Sequence, residues 1–339
     1  MNEHKVSHRR VRTDPLTTVG LVARAESTLT DVERLAAIAG VDLTIAPSVA
    51  ELPPAVLTLV ESGASGTLVA RFNEVFQPEF AGQEVRVSPA SQPGDILELF
   101  VAAGATQRGH IVGVIGAHGG AGSTIASAML ARVLARAVPS VALVDLDPLS
   151  PGYDLLLHLD ASGKRWADIS QESGTLLPGR LVESLPVWKE VRVLSGNARQ
   201  GAPTTGRSAM TTAASIAQVT AATILDLPRS ALHRGGRTYE WLSWCDHLLL
   251  LTQPGLMNLA AAARALEAVP PIPVTTVIAG VKGPGHADDC AGQLGLTSVC
   301  PLRFERTLDG DIAHGMTPGD RLRSGSARDI RRIATRVMA

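Results

Sequence analysis

The chain has 339 residues, a formal net charge of −1 and 45% hydrophobic residues, a globular composition that excludes predominant disorder. The near-zero charge argues against bulk electrostatic attraction to nucleic acid, so we expect no sequence-specific nucleic-acid partner. The length predicts two domains, and an aromatic content of only 3% predicts an aliphatic core.

The first part of the chain predicts a flexible basic tail at residues 1–15 and a small α/β domain at residues 16–105. The tail is interpreted as a solvated terminus, with an anionic contact as the alternative. Within the domain the pattern predicts strands at 17–23, 41–46, 66–70 and 85–88, and helices at 30–40, 52–63 and 94–104. Alternating strands and helices predict a parallel, flavodoxin-like sheet with helices on both faces.

The residues after these strands bear on the chemistry of the small domain. Arg24 and Glu26 follow the first strand, Arg71 and Phe72 follow the third, and no lysine lies near Val87. The unit resembles a response-regulator receiver domain in its order of elements. That family needs an acidic cluster, a phosphoacceptor aspartate and a lysine at these places, so the resemblance implies an inactive receiver.

A larger α/β pattern begins at residue 109 and continues to residue 339. Nearly continuous apolar runs predict central parallel strands of a doubly wound sheet. The predicted strands are 110–116, 140–147, 191–194, 222–227, 247–252 and 273–280, and a helix is predicted at 122–137.

A glycine-rich segment joins the first strand of this pattern to its helix. It reads His118, Gly119, Gly120, Ala121, Gly122, Ser123, Thr124. Glycines allow a tight turn that presents backbone N–H groups, and the helix adds the positive end of its dipole, so the segment predicts an anion-binding loop. The alternative is an ordinary strand–helix turn whose glycines serve close packing.

This segment resembles the Walker A loop of the ParA/MinD family of P-loop ATPases, which reads K-G-G-x-G-K-[ST]. The glycines and Thr124 match, whereas His118 and Ser123 stand where the family has its two lysines. The resemblance implies a MinD-like P-loop domain that binds ATP or ADP with Mg²⁺. Without either lysine we expect nucleotide binding to be weaker by about 10²- to 10⁴-fold and hydrolysis to be impaired or absent.

Three acidic residues extend the resemblance. Asp145 and Asp147 fall on the acidic positions after the family's second strand, and Asp226 falls at the tip of its Walker B strand. The resemblance implies that Thr124 and Asp226 hold Mg²⁺ and that Asp145 or Asp147 orients an attacking water. The alternative for these acids is helix capping or solvation at strand ends.

Other functions remain open from the residues. An active ATPase would need a cation from elsewhere, such as Arg229. A dinucleotide-binding oxidoreductase would use the G-x-x-G-x-x-G pattern of Gly116, Gly119 and Gly122 with Asp145 at the ribose, but the chain has no Tyr-x-x-x-Lys pair. A scaffold that uses the old nucleotide fold as a docking surface is the third alternative.

A receiver-like unit followed by a MinD-like unit is the arrangement of CpaE/TadZ-type proteins, and the chain most resembles actinobacterial septum site-determining proteins of this kind. The resemblance implies a role in septum-site determination or in localising a pilus or secretion apparatus. It further implies protein partners from that machinery and a homodimer.

The last segment and the cysteines bear on location. Residues 321–339 carry six arginines and an apolar helical face, which predicts either a peripheral membrane contact or a surface helix docked on its own domain. Three scattered cysteines, a polar start and no apolar run near ~20 residues favour a cytoplasmic protein, at most peripheral at the inner face of the membrane.

Overall fold

The computed structural model describes most of the chain and divides it into two compact units, residues 1–107 and 108–339. The described residues are 17–63, 66–72, 84–104, 108–160, 162–169, 177–197, 201–203, 207–281, 283–305 and 307–339. The predicted basic tail lies outside the described residues.

The smaller unit is a five-stranded α/β unit with strand order β2-β1-β3-β4-β5. Its elements are β1 (Thr17–Val22), α1 (Glu26–Ala39), β2 (Leu43–Ile45), β3 (Ala55–Glu61), β4 (Leu68–Phe72), β5 (Glu84–Val87) and α2 (Pro93–Gly104). β1 pairs in parallel with β2 and β3, whereas β4 pairs antiparallel with both β3 and β5. The α/β class is confirmed, but the expectation of an all-parallel sheet is wrong.

The predicted helix at 52–63 is wrong, because this segment forms the strand β3. β-branched residues at Val56, Thr58 and Val60 favour a strand, and Val56, Leu57 and Leu59 are fully buried in the middle of the sheet. A strand buried on both faces has a continuous apolar run that periodicity does not distinguish from a helix. With β3 in place, the short connection to β4 leaves no room for a crossover helix, so β4 returns antiparallel.

The larger unit contains an eight-stranded sheet with the order β13-β12-β11-β6-β10-β7-β9-β8, parallel except for the edge pair β8 and β9. Its strands are β6 (His110–Gly116), β7 (Val141–Asp145), β8 (Val187–Trp188), β9 (Val191–Leu194), β10 (Ala222–Leu227), β11 (His247–Thr252), β12 (Val274–Ala279) and β13 (Cys300–Leu302). The predicted doubly wound, mainly parallel fold is confirmed.

Helices connect these strands. They are α3 (Ser123–Leu134), α4 (Asp154–Leu157), α5 (Trp166–Ile169), α6 (Pro178–Ser184), α7 (Arg207–Val219), a 3-10 helix (Arg229–Leu232), α8 (Glu240–Trp244), α9 (Leu256–Ala268), α10 (Pro284–Leu294), α11 (Leu308–Ala313) and α12 (Gly325–Val337). Two large aliphatic clusters form the core of this unit.

The strand order places the functional loop. β6 lies between β10 and β11, and the chain leaves β6 toward β7 on one side and later adds β11 on the other. The carboxyl end of β6 is therefore at the point where the strand order reverses, and such a point opens a crevice in doubly wound sheets. The glycine-rich segment begins directly after β6.

The last helix is docked on its own unit. Ile330, Ile333 and Val337 are each only 1% exposed, and α12 packs against α3 and β13. Asp329 of this helix forms an ion pair with Arg303 at 2.6 Å. The apolar face that could contact a membrane is thus buried. In the structure α12 is a surface helix docked on its own unit, the second of the two alternatives. Within the described part of the chain, no helix combines the length and apolarity needed to span a bilayer.

Replacing Ile333 by Ala tests this docking. We expect the free energy of unfolding to fall by about 2–4 kcal/mol, because the change leaves a cavity between α12 and α3. Urea unfolding followed by tryptophan fluorescence reports on this unit, since all four tryptophans lie in it. Arg332→Ala on the exposed face of α12 is the control and should change stability by less than about 0.5 kcal/mol. Equal effects of both substitutions would show that α12 is not docked in solution.

Candidate functional site

The loop between β6 and α3 has the backbone of a tight glycine turn. Gly120 and Gly122 adopt left-handed φ angles of +76° and +91°. A Cβ at Gly120 would meet open space, whereas one at Gly122 would come within 2.5 Å of the Phe304 ring. Glycine is therefore required at Gly122 both by its φ angle and by the aromatic ring beside it.

The loop has backbone donors available for an anion. In the described part of the chain, the N–H groups of Gly120, Gly122, Ser123 and Thr124 have no protein acceptor. Ser123 and Thr124 open the 12-residue helix α3, whose N-terminus carries partial positive charge. This arrangement fits the predicted anion-binding loop.

The two positions that carry lysine in the ATPase family behave differently here. The ring of His118 contacts Gly119 O through Nδ1 at 2.9 Å, and its Nε2 accepts the N–H of Gln253 at 3.3 Å. This network assigns the tautomer with hydrogen on Nδ1. The Gln253 side chain also donates to Gly120 O at 2.7 Å. Protein contacts hold the loop, and His118 and Ser123 bring no ammonium group to it.

Asp145 and Asp226 form a buried acidic pair. They lie opposite each other on the paired strands β7 and β10, and they are 0% and 2% exposed. Burial raises the pKa of Asp145 to about 6. Burial, followed by the charge of Asp145, raises the pKa of Asp226 to about 7. A fully buried Asp145 does not reach a ribose, which argues against the oxidoreductase alternative.

Asp147 has a different environment from this pair. Its N–H donates to Asp145 Oδ1 at 3.0 Å, and its own Oδ1 accepts the N–H of Leu149 at 2.9 Å. The side chain is partly exposed and lines the cleft described below. The contact with Leu149 is an Asx-turn bond within the loop after β7, not a helix cap, since the next helix begins at Asp154.

Tyr153, which no motif in the sequence marks as a site residue, contacts this pair. Its side chain is fully buried, and its hydroxyl donates to Asp226 Oδ2 at 2.9 Å and lies 3.3 Å from Thr124 O. Ser127 donates to the other oxygen of Asp226 at 3.4 Å. The signal in the sequence was a tyrosine, one of only two in the chain, shortly after the acidic segment.

Ser195 completes the network and was also missed, because nothing near the end of β9 marks it. Its hydroxyl accepts the N–H of Tyr153 at 2.8 Å and donates to Asp145 Oδ2 at 3.3 Å. Ser195 is fully buried. The two acids are therefore linked through Tyr153 and Ser195 across the sheet.

The implied magnesium ligands Thr124 and Asp226 are engaged by protein groups in this structure. Mg²⁺ favours oxygen ligands and keeps several of its waters. Both oxygens of Asp226 accept hydrogen bonds from protein hydroxyls, and its side chain is shielded from solvent. Nowhere in the described residues do three or more His, Cys, Asp or Glu side chains gather in a group suited to a metal ion. The implied ligands Thr124 and Asp226 thus lie close together, but hydroxyl donors occupy the carboxylate.

A cleft of about 660 Å³ lies beside the loop. Arg229, Arg264 and His233 line it together with aliphatic residues, and Ala117 joins it to the start of the loop. Neither arginine forms an ion pair with another described residue. Leu149 at its rim is 90% exposed.

Comparison with known proteins gives two kinds of likeness. No family model matches the chain. Two curated relatives, both described as uncharacterized proteins of Mycobacterium tuberculosis strains, are 32% identical over 229 residues. The match covers 64% of this chain and 60% of each relative, so the chain spans less than two thirds of their length.

Solved structures share the fold. A ParA family ATPase from Chlorobium tepidum has a TM-score of 0.54 and 18% identity, covering 67% of this chain and 98% of that one. A MinC:MinD cell division protein complex from Aquifex aeolicus matches with a TM-score of 0.53 and 17% sequence identity. This match covers 68% of this chain and 95% of that one. The septum site-determining protein MinD from Pyrococcus horikoshii, complexed with Mg-ADP, matches with a TM-score of 0.50 and 13% sequence identity. This match covers 67% of this chain and 95% of that one. The chain therefore contains the ParA/MinD fold.

The buried pair predicts a pH-dependent stability. Raised pKa values mean that the folded protein keeps protons that the unfolded chain releases above about pH 3.8. The contribution of this pair to stability is then greatest below about pH 3.8 and is lost as the pH rises through 6 and 7. We expect the free energy of unfolding to drop by about 4 kcal/mol between pH 5 and 8. Asp226→Asn should flatten this slope, measured by urea unfolding; an unchanged slope would contradict the assignment.

Proposed function

We propose that this chain is a MinD-like positioning protein that binds nucleotide weakly and does not hydrolyse it at an enzymatic rate. One observation carries the proposal. The loop keeps its backbone donors at the N-terminus of α3, but His118 and Ser123 replace both lysines of the ATPase family. These donors support anion binding, while neither position supplies the positive charge that favours a phosphoryl-transfer transition state.

The magnitude of this loss supports the proposal. A hydrogen bond from a charged group contributes about 1.5–3 kcal/mol, so two missing lysines weaken phosphate binding by about 3–6 kcal/mol. Hydrolysis loses more, because phosphoryl transfer depends on neutralising charge as it develops. His118 is held as a hydrogen-bond acceptor of Gln253 and does not replace an ammonium group.

Restoring the lysines tests this function. Wild-type protein should not turn over ATP at rates on the order of 1 s⁻¹, a low ordinary enzyme rate. The double variant His118→Lys with Ser123→Lys should bind a fluorescent ADP analogue about 10²- to 10⁴-fold more tightly. His118→Gln with Ser123→Gln is the uncharged control. Wild-type hydrolysis near 1 s⁻¹ would favour the active ATPase and contradict the proposal.

The cellular role rests on the arrangement of the whole chain. An α/β unit precedes a unit with the ParA/MinD fold, as in CpaE/TadZ-type proteins. Structural neighbours are described as septum site-determining and cell division proteins, one of them in a complex with MinC. We infer a cytoplasmic role in septum-site determination or in localising a pilus or secretion apparatus, acting through protein partners.

The carboxyl edge of the large sheet is the surface we assign to such a partner or to a second copy of the chain. Leu149, Leu256 and Met257 are 90%, 80% and 79% exposed, and they follow β7 and β11 on both sides of the loop. A contiguous exposed apolar patch rimmed by polar residues is typical of a protein-interaction site. Arg229 and Arg264 provide charge in the cleft that Leu149 also lines.

Substitution of this surface gives a cellular test. Leu256→Asp should abolish a focused position of a fluorescent fusion at the septum or cell pole, because a charge in an apolar contact prevents docking. Val187→Asp on the edge strand β8 changes another exposed aliphatic residue and is the control. Sedimentation velocity of both variants distinguishes a lost dimer from a lost partner. An unchanged focus in Leu256→Asp would contradict this assignment.

A further inference from the structure

The hydroxyl of Tyr153 lies between Asp226 and the first turn of α3, the turn that carries Thr124. It donates to Asp226 at the tip of β10 and lies beside the carbonyl of Thr124 in the first turn of α3. The ring belongs to the aliphatic core of the unit and is fully buried. The hydroxyl therefore connects the strand to the helix that carries the loop, in a place closed to water.

The backbone before Tyr153 is fixed by close packing. Gly152 has a φ angle of +83°, and a Cβ there would approach Gly196 O within 2.6 Å. The N–H of Tyr153 donates to Ser195 Oγ at 2.8 Å. Only glycine permits this close approach of the backbone to Gly196, which places Tyr153 next to the end of β9.

The backbone after Tyr153 is anchored as well. Asp154, the next residue, forms an ion pair with Arg165 Nε at 2.9 Å, and the Arg165 side chain is only 7% exposed. Arg165 also donates to the carbonyls of Asp160 and Gly163. With anchors on both sides, Tyr153 is a fixed part of the core.

We propose that the Tyr153 hydroxyl takes the place of a metal-bound water at Asp226. The hydrogen bonding of this carboxyl group is then satisfied without Mg²⁺. A hydrated Mg²⁺ reaches a carboxylate directly or through a water that donates a hydrogen bond. The tyrosine hydroxyl makes the same donation without positive charge and without exchange. This inference rests on the proposed weak nucleotide binding and adds that such binding is independent of magnesium.

A matched pair of tyrosine variants gives the first test. Tyr239, the other tyrosine, also donates one hydroxyl, to Ala268 O at 3.1 Å. In EDTA we expect Tyr153→Phe to lower the Tm by about 3–10 °C, and Tyr239→Phe to lower it by less. In Asp226→Ala protein, the added Tyr153→Phe change should have little further effect. Full additivity, or equal effects of the two tyrosine variants, would overturn the inference.

Metal binding gives the second test. Electron paramagnetic resonance counts free Mn²⁺, a probe for Mg²⁺, in the presence of ADP. We expect Mn²⁺ to titrate identically with wild-type protein and with Asp226→Ala, and the affinity for a fluorescent ADP analogue to agree within about two-fold in Mg²⁺ and EDTA. Mn²⁺ retained by wild type and released by Asp226→Ala would overturn the inference. Failure of the proposed function shows separately, as ATP hydrolysis in a turnover assay.

Discussion

Two carboxyl groups buried side by side at the centre of an apolar sheet constrain the rest of the large unit. Asp145 and Asp226 lie on paired strands and are almost wholly removed from solvent. A buried charge is strongly unfavourable unless it is neutralised or hydrogen-bonded. The protein meets this requirement with hydroxyl and N–H donors from Tyr153, Ser195 and Asp147, and with pKa values raised toward neutrality.

This solution links the acidic pair to the shape of the loop. Tyr153 connects Asp226 with the first turn of α3, and Gln253 holds the other side of the turn through His118 and Gly120. Protein contacts therefore hold both sides of the loop.

The site was predictable from the sequence where chemistry and spacing coincide. The segment from His118 to Thr124 follows an apolar strand and precedes a helix, so its place at a sheet edge was evident. Tyr153 was not predictable as a partner of Asp226, because 73 residues separate them and only the strand order brings them together. The prediction of a helix at 52–63 failed for a different reason. A fully buried strand and a buried helix have the same continuous apolar pattern in the sequence.

The sequence by itself determined the two α/β units, the central strands of the larger one, and a glycine loop without lysines. These are local properties, written in continuous apolar runs and in residue types at fixed spacing. Tertiary structure alone decided that α12 is docked rather than free, that β4 returns antiparallel, and that a tyrosine hydroxyl caps Asp226. Each of these depends on which distant surfaces meet, and burial and hydrogen-bond satisfaction settle that choice only in the folded chain.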